Sequence, residues 1–172
     1  MSKIVLLVLL YVSVVSLSYS SDEYVLGPGD KIEIKVFGHE ELSVETILSD
    51  NGSINYPFLG DIKLSSLTTK EVSDVVYSGL LGDYLIQPNV YVHITEYRKF
   101  YIHGEVKRPG GYPFQIGLTV HQAIAISGGM TERASMEKIY ILKENDKIKK
   151  LGIDMTGSIF AGDTIIVDKR FF

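Results

Sequence analysis

Cysteine and tryptophan are both absent from the 172 residues of this chain. Without cysteine there is no disulfide, no thiolate metal site and no cysteine nucleophile, and no thiol that could carry a lipid anchor. The protein must therefore be held together by its hydrophobic core.

Positive charge is also scarce. The chain has 17 Lys and Arg residues against 21 Asp and Glu residues, which gives a formal net charge of −4. The basic residues are scattered, so the chain lacks the basic surface that nucleic acid requires. We expect no nucleic-acid partner.

Long apolar runs are missing apart from one near the N-terminus. Residues 4–17 are mostly apolar, Lys3 precedes them, and Ser18-Tyr19-Ser20 follows. This pattern predicts a signal peptide, residues 1–20, that is cleaved after Ser20. An uncleaved membrane anchor is the alternative, but the run is shorter than the roughly 20 residues needed to span a bilayer.

A Pro/Gly corner and an alternating strand open the mature chain. Gly27-Pro28-Gly29-Asp30 predicts a tight turn, because proline presets φ and Gly29 can adopt a positive φ. Apolar and charged residues then alternate over 31–36, as in a strand with one buried face. Such a corner fits any β-rich domain, but the pattern Gly-Asp-x-Ile returns at Gly162-Asp163.

The first predicted module, residues 21–97, combines strands with one helix. Asp50-Asn51-Gly52 predicts a hairpin turn between strands at 44–49 and 53–56. Thr68 and Glu71 have the spacing of a capping box, so we expect a helix that ends near Gly79 or Gly82. Pro88 then restarts the chain as an alternating strand.

The second predicted module, residues 98–172, repeats this plan. A strand over 100–106 leads into a turn at Arg108-Pro109-Gly110-Gly111. Thr119 and Gln122 give a second capping box, and Gly128-Gly129 is expected to end the helix in a left-handed conformation. Further strands are predicted at 138–142, 148–153 and 164–167, with a turn at 144–146. The fold class is therefore α+β: two small β-rich modules, each with one short helix.

No arrangement of residues predicts catalysis. The sequence has no nucleophile elbow, Walker loop or zinc-protease motif. Its four histidines fall in separate segments; His93 and His103 are expected on the exposed faces of two strands that could pair, but no third ligand has useful spacing for a metal. We therefore expect no enzyme activity, cofactor or metal site.

Three tyrosines are the candidate binding residues. Tyr91 and Tyr97 are expected on one face of a strand, and Tyr101 on the next strand could join them. Such rings suit sugar stacking or a protein interface. Half-exposed tyrosines are equally typical of strands that bind nothing.

Two sets of motifs resemble the polysaccharide export protein family. The first module is similar to the polysaccharide export sequence domain of Wza-type capsule and exopolysaccharide translocons, through Tyr24-Val-Leu-Gly27-Pro28-Gly29-Asp30, the turn over 50–57 with Gly60, and Gln87-Pro-Asn-Val-Tyr91-Val92. The second is similar to the soluble-ligand-binding β-grasp (SLBB) domain, through Gly104-Glu-Val-Lys-Arg-Pro109-Gly110, Thr119-Val-x-x-Ala-Ile124, Ser127-Gly128-Gly129-Met-Thr131 and the segment from Gly162-Asp163 to Phe172.

The resemblance implies a homo-oligomeric ring in the periplasm, for which an octamer is one stoichiometry, with a growing polysaccharide as cargo. It implies docking against an inner-membrane polysaccharide co-polymerase, association with outer-membrane export machinery, and no bond making or breaking. The sequence departs from full-length members by lacking the lipidated cysteine, further SLBB modules and an amphipathic pore helix after Phe172. It therefore resembles a short form, expected to need a separate outer-membrane β-barrel.

Two other functions remain open at this stage. One is a monomeric periplasmic module that binds an oligosaccharide through the three tyrosines. The other is a glycan hydrolase or lyase whose carboxylates come from separate loops. The oligomeric state separates the first from a ring, and hydrolysis assays would reveal the second.

Overall fold

The computed structural model describes residues 23–144 and 146–170. The predicted signal peptide, the centre of the predicted turn at 144–146 and the last two residues lie outside the described residues. The strands are β1 Lys31–Val36, β2 Val44–Ile47, β3 Ser53–Tyr56, β4 Gly60–Lys63, β5 Val90–Glu96, β6 Phe100–Gly104, β7 Gly110–Tyr112, β8 Ala134–Lys143, β9 Asp146–Gly152 and β10 Thr164–Lys169. The helices are α1 Thr69–Leu80 and α2 Val120–Ile126, with a 3-10 turn at Glu40–Leu42.

The fold is α+β, as predicted, and its buried residues form two clusters. Residues from Leu26 to Val92 make one cluster, and residues from Phe100 to Val167 make the other. Tyr24 packs against both clusters. We call the two parts the N-domain and the C-domain; they meet near the predicted boundary at residue 97.

The N-domain contains two small sheets and α1. A three-stranded antiparallel sheet has the order β2-β1-β5, and β3 pairs with β4 in a separate hairpin. The expected alternation in β1 is confirmed: Ile32, Ile34 and Val36 are buried, whereas Lys31, Glu33 and Lys35 are not. The apolar residues of α1 meet this buried face through Val72, Val76 and Leu80.

The C-domain is built on one five-stranded sheet of order β7-β6-β10-β8-β9. Three of the four strand pairs in this sheet are antiparallel. The fourth pair is parallel: β10 runs parallel to β6 and lies between β6 and β8. The two domains therefore share the order of turn, capped helix and strands while differing in sheet topology.

Both predicted capping boxes are confirmed. The Thr68 hydroxyl accepts a hydrogen bond from the Glu71 N–H, and the Glu71 carboxylate accepts one from the Thr68 N–H; Thr119 and Gln122 do the same for α2. Each box satisfies amide groups that the first helical turn leaves unpaired.

Three sequence-based expectations about strands are wrong. The turn at 50–52 exists, but β2 pairs with β1 and β3 pairs with β4, so the chain reverses there without forming a ladder between β2 and β3. The strand predicted over 100–106 ends at Gly104, after which Val106 forms an isolated bridge with Met130. β5 and β6 lie in different sheets, so His93 and His103 do not face each other across a strand pair.

Neither helix in the described residues has the length and apolar character that a membrane crossing demands.

Tyr56 has a buried hydroxyl that links β3 to the 3-10 turn. Its Oη donates to the Leu42 carbonyl at 2.6 Å, and the side chain is fully buried. Burial raises the pKa of the Tyr56 phenol from 10.0 to about 12.

We predict that this phenol contributes to alkaline unfolding. The unfolded chain releases the proton near pH 10 while the folded chain retains it to about pH 12, so the free energy of unfolding falls as pH rises through this window. The wild type should lose stability there by roughly 1.4 kcal/mol per pH unit more than Tyr56→Phe. Urea titrations at pH 8 to 12, as an approximate range, measure both slopes; parallel curves would contradict the prediction.

Gly128 and Gly129 end α2, and both have a positive φ of 88°. Their segment is bound to the 107–108 segment, because the Lys107 N–H donates to the Gly129 carbonyl and the Arg108 N–H to that of Ser127. The expectation of a left-handed helix end is confirmed, and it extends to both glycines.

We predict that Gly128→Val and Gly129→Val each lower the free energy of unfolding by about 1–3 kcal/mol, because a β-branched residue is strained at positive φ. Gly152→Val is the matched control, since Gly152 lies in a strand with no atom near its Cβ position. Chemical denaturation measures all three. Equal stability of the two helix-end variants and the control would contradict this account.

Candidate functional site

The N-domain turn Gly27-Pro28-Gly29-Asp30 is closed by its own aspartate. Gly29 has a φ of 90°, and the Asp30 N–H donates to the Gly27 carbonyl at 3.1 Å. In return the Gly27 N–H donates to Asp30 Oδ2 at 2.8 Å. The aspartate side chain is completely buried.

The C-domain turn that ends in Gly162-Asp163 is built in the same way. Gly162 has a φ of 84°, the Asp163 N–H donates to the Phe160 carbonyl at 3.2 Å, and the Phe160 N–H donates to Asp163 Oδ2 at 2.9 Å. Asp163 is also buried. The repeat seen in the sequence is therefore a repeat of one structural device.

Both Gly-Asp turns hold the segment that joins the domains. This segment, residues 97–101, has polar backbone groups that would otherwise remain unpaired beside two cores. The bonds are Arg98 N to Asp30 Oδ1 at 2.7 Å, Gly162 N to Lys99 O at 3.1 Å, and Tyr101 N to Asp163 O at 2.9 Å.

Arg98 connects the domains through its side chain, which is 14% exposed. Nη1 donates to Asp30 Oδ2 at 2.7 Å and to Tyr24 Oη at 2.5 Å, while Nε and Nη2 reach Glu144 Oε2 at 3.0 and 2.9 Å. Asp30 and Tyr24 precede the junction, and Glu144 follows β8 of the C-domain. We call these four residues the junction network.

Burial and charge act together in the junction network. Burial raises the pKa of Tyr24, and the hydrogen bond from its phenol to Asp30 raises that pKa further. Burial alone would lower the pKa of Arg98, but the charges of Asp30 and Glu144 and the hydrogen bond to Glu144 outweigh it and leave that pKa above its ordinary value. Tyr24 is thus a neutral donor and Arg98 a permanent cation.

The second buried carboxylate has its own cation. Lys143 Nζ lies 2.7 Å from Asp163 Oδ2 and 4.4 Å from the centre of the Phe160 ring. Asp30 and Asp163 are therefore both neutralised and hydrogen-bonded, an arrangement suited to fixing structure rather than to transferring protons.

Two cavities open beside the Arg98–Glu144 pair. We call the larger, of about 640 Å³, the apolar cavity; its wall includes Tyr24, Val25, Phe114, Ile116 and Phe160. We call the smaller, of about 390 Å³, the polar cleft, and it is lined by backbone and charged groups around the junction. The Arg98 and Glu144 side chains border both.

The three candidate tyrosines do not form one surface. Tyr97 and Tyr101 line the polar cleft, and Tyr97 also packs edge-on against Tyr24 at 4.8 Å between ring centres. Tyr91 is half exposed on β5, where its ring stacks on His93 at 5.5 Å. Two of the three rings therefore line one cleft, and the third lies outside it.

Two of the motif glycines, Gly27 and Gly104, lie where a side chain would not fit. A Cβ on Gly27 would lie 2.7 Å from the Arg98 guanidinium carbon. Gly104 has a φ of 87°, and its Cβ would collide with the Val167 carbonyl of β10. Pro109 and Gly110 form the turn into β7, beside the Gly128 and Gly129 segment described above.

Sequence reasoning missed the partners of the buried aspartates. Tyr24 was noted as part of a motif, but Arg98, Lys143 and Glu144 carried no local signal. The available signal was indirect. An aspartate that closes a turn ahead of a buried strand becomes buried itself, and a buried carboxylate needs a cation beside it. Among the described residues, no three His, Asp or Glu side chains come together in a group that could hold a metal ion.

Two protein-family models match successive parts of the chain. A family model described as polysaccharide biosynthesis/export protein matches residues 18–95, and one described as SLBB domain matches residues 99–151. The two matches follow one another along the chain and meet at the junction network.

Curated relatives include three proteins of polysaccharide production or export. The exopolysaccharide production protein ExoF of Rhizobium meliloti is 32% identical over 124 residues, 64% of this chain and 29% of that protein. The polysialic acid transport protein KpsD of Escherichia coli is 26% identical over 86% of this chain and 28% of its own length. The EPS I polysaccharide export outer membrane protein EpsA of Ralstonia nicotianae is 26% identical over 86% of this chain and 48% of its own. The chain thus spans less than half the length of these relatives.

We predict that Arg98→Ala lowers the free energy of unfolding by about 3–5 kcal/mol, because it leaves the Asp30 carboxylate buried without its cation. Arg133→Ala is the matched control: Arg133 is 67% exposed and lies 3.6 Å from Glu105, so its loss should cost about 1 kcal/mol or less. Urea denaturation of both variants measures the difference. Equal effects would show that the junction network does not stabilise the fold.

Proposed function

The chain belongs to the polysaccharide biosynthesis/export protein family, and we propose on that basis that it is a periplasmic component of a polysaccharide export channel. Copies of the chain form a ring through which capsule or exopolysaccharide passes toward and across the outer membrane. The observation that carries this proposal is the ordered match of an export domain and an SLBB domain along one chain.

The rigid junction supports a structural role of this kind. A ring keeps its diameter only if every copy holds its two domains at one angle. The buried Asp30–Arg98 pair and the two Gly-Asp turns fix the segment between the domains at both ends. A module that opened and closed around a ligand would instead need a junction with few buried bonds.

The chemistry of the junction supports transport without reaction. Both buried carboxylates are neutralised by a cation and accept hydrogen bonds from turn amides. A glycosidase needs one carboxylic acid and one free carboxylate facing the scissile bond. The state of these two carboxylates supports a protein that conducts its cargo without cleaving it.

The names of the relatives support a proposal for where this chain works and which proteins it contacts. KpsD is a polysialic acid transport protein and EpsA an export outer membrane protein. By extension this chain works at the periplasmic side of the outer-membrane machinery, receives polymer from an inner-membrane co-polymerase, and delivers it to a separate outer-membrane barrel. A monomer at every concentration in light scattering, also with the co-polymerase added, would instead favour the oligosaccharide-binding module.

Deletion of the gene tests the export role. We predict that the deletion strain still makes polymer but retains it, because synthesis precedes the step that this protein serves. The measurement is the ratio of cell-associated to secreted polysaccharide, and a plasmid copy of the wild-type gene should restore it.

Incubation of the purified protein with the secreted polymer is the control for an enzymatic role. The size distribution of the polymer should stay unchanged on size-exclusion chromatography. Normal secretion in a deletion strain with no second copy of the gene would overturn the proposal, and shortening of the polymer by the protein would establish a hydrolase or lyase.

A further inference from the structure

Four large apolar side chains are exposed on two loops of the N-domain that contact each other. Phe58, Leu81, Tyr84 and Ile86 are 64%, 44%, 46% and 96% exposed. They belong to the β3–β4 turn and to the loop after α1, and we call them the apolar knob. Apolar side chains gathered in this way on an exposed surface mark a contact with another molecule.

The backbone is arranged to hold the knob outward. Phe58 has a φ of 64°, a left-handed conformation that is strained for a bulky residue. Its ring centre lies 5.1 Å from that of Tyr84, and Tyr84 Oη donates to the Phe58 carbonyl at 3.3 Å. The two loops are therefore tied to each other with their rings in solvent.

The knob lies far from the domain junction. Helix α1 begins next to Leu67, whose carbonyl binds the Leu26 N–H beside the first Gly-Asp turn. Its 12 residues carry the chain about 18 Å away before the loop that contains Tyr84 and Ile86. The seven residues of β5 then return over about 23 Å to the junction.

The apolar cavity at the junction is concave, whereas the apolar knob protrudes. Val25, Ile116 and Phe160 line it and are 47%, 69% and 48% exposed. The cations on its wall are already paired, Arg98 with Asp30 and Glu144, and Lys143 with Asp163. An anionic occupant would therefore find no unpaired cation on this wall, and the apolar side chains of the wall favour an apolar occupant.

We propose that the apolar knob of one copy docks into the apolar cavity of the next copy. One chain carries both complementary surfaces, and the lengths of α1 and β5 place them about 20 Å apart. The knob of a chain therefore cannot reach the cavity of the same chain. Repetition of a contact between two different surfaces builds a head-to-tail assembly, which closes if the rotation permits. This deepens the proposed function and rests on its oligomeric assembly.

The composition of the knob separates this occupant from a sugar or a bilayer. A saccharide would be met by aromatic rings among hydrogen-bonding groups, whereas two of the four knob residues, Leu81 and Ile86, are aliphatic. A membrane contact would leave the apolar cavity unexplained. Docking between copies accounts for both surfaces.

The absence of cysteine gives a direct test. Ile86→Cys combined with Ile116→Cys puts one thiol on the knob and one at the cavity, and oxidation of the folded protein can join them only where copies bring them within disulfide distance. Because each chain then carries two linkable ends, we expect a ladder of covalent species above the dimer on a non-reducing gel. Each single variant can give at most a dimer.

A matched control uses Ile86→Cys with Met136→Cys. Met136 is 68% exposed, close to the 69% of Ile116, but lies on β8 away from the cavity. Ile86→Cys with Val25→Cys is a second pair on the same cavity, in case one variant fails to fold. A ladder in the two cavity pairs and not in the control supports the proposal.

Two results would overturn it. One is the absence of a ladder in both cavity pairs, or an equal ladder in the control. The other is co-sedimentation of the wild type, but not of Phe58→Ala, with phosphatidylethanolamine and phosphatidylglycerol vesicles in the absence of any ladder, which would make the knob a membrane contact. Either failure leaves the secretion phenotype of the deletion strain untouched, so the proposed function and the docking contact are judged separately.

Discussion

The buried carboxylate of Asp30 sets the constraint on which both domains depend. A charge removed from water is costly unless it is paired and fully hydrogen-bonded, and Asp30 meets this condition with the Tyr24 hydroxyl, the Gly27 and Arg98 amides and the Arg98 guanidinium. Two of these four groups belong to the residue that begins the C-domain. The first turn of the N-domain is therefore satisfied only when the two domains stand in their observed relation.

The Gly-Asp turn occurs once in each domain, but the two turns have different roles. In the N-domain turn the cation comes from the interdomain segment and binds both domains, whereas in the C-domain turn Lys143 comes from β8 of the same domain. Glu144, the next residue, reaches Arg98. The two turns thus meet through adjacent residues at the end of one strand, and this explains why the segment over 97–101 is held from both sides.

Much of the local structure could be predicted from sequence, because it depends on neighbours along the chain. The capping boxes at Thr68 and Thr119, the alternation in β1 and the glycine turns all follow from residues within a few positions of each other. Strand pairing does not: Asn51-Gly52 signals a reversal of the chain but not which strand β2 will join. The orientation of the candidate tyrosines could not be predicted for the same reason, since the direction of the Tyr97 ring is set by Tyr24 and Phe114, which are distant in sequence.

The position of β10 has a consequence for the order in which the C-domain folds. Its partner β6 is the first strand of that domain. Ile102 of β6 and Ile165 of β10 therefore come from opposite ends of the domain sequence, and they must pair before the central strand of the sheet is in place. Until then β8 and β9 form a local hairpin with an unpaired edge, and β6 and β7 form another. Contacts between residues so far apart slow folding and leave strand edges exposed to other chains. Until β10 pairs with both β6 and β8, the two hairpins remain separate, and each presents an open strand edge that another chain can bind.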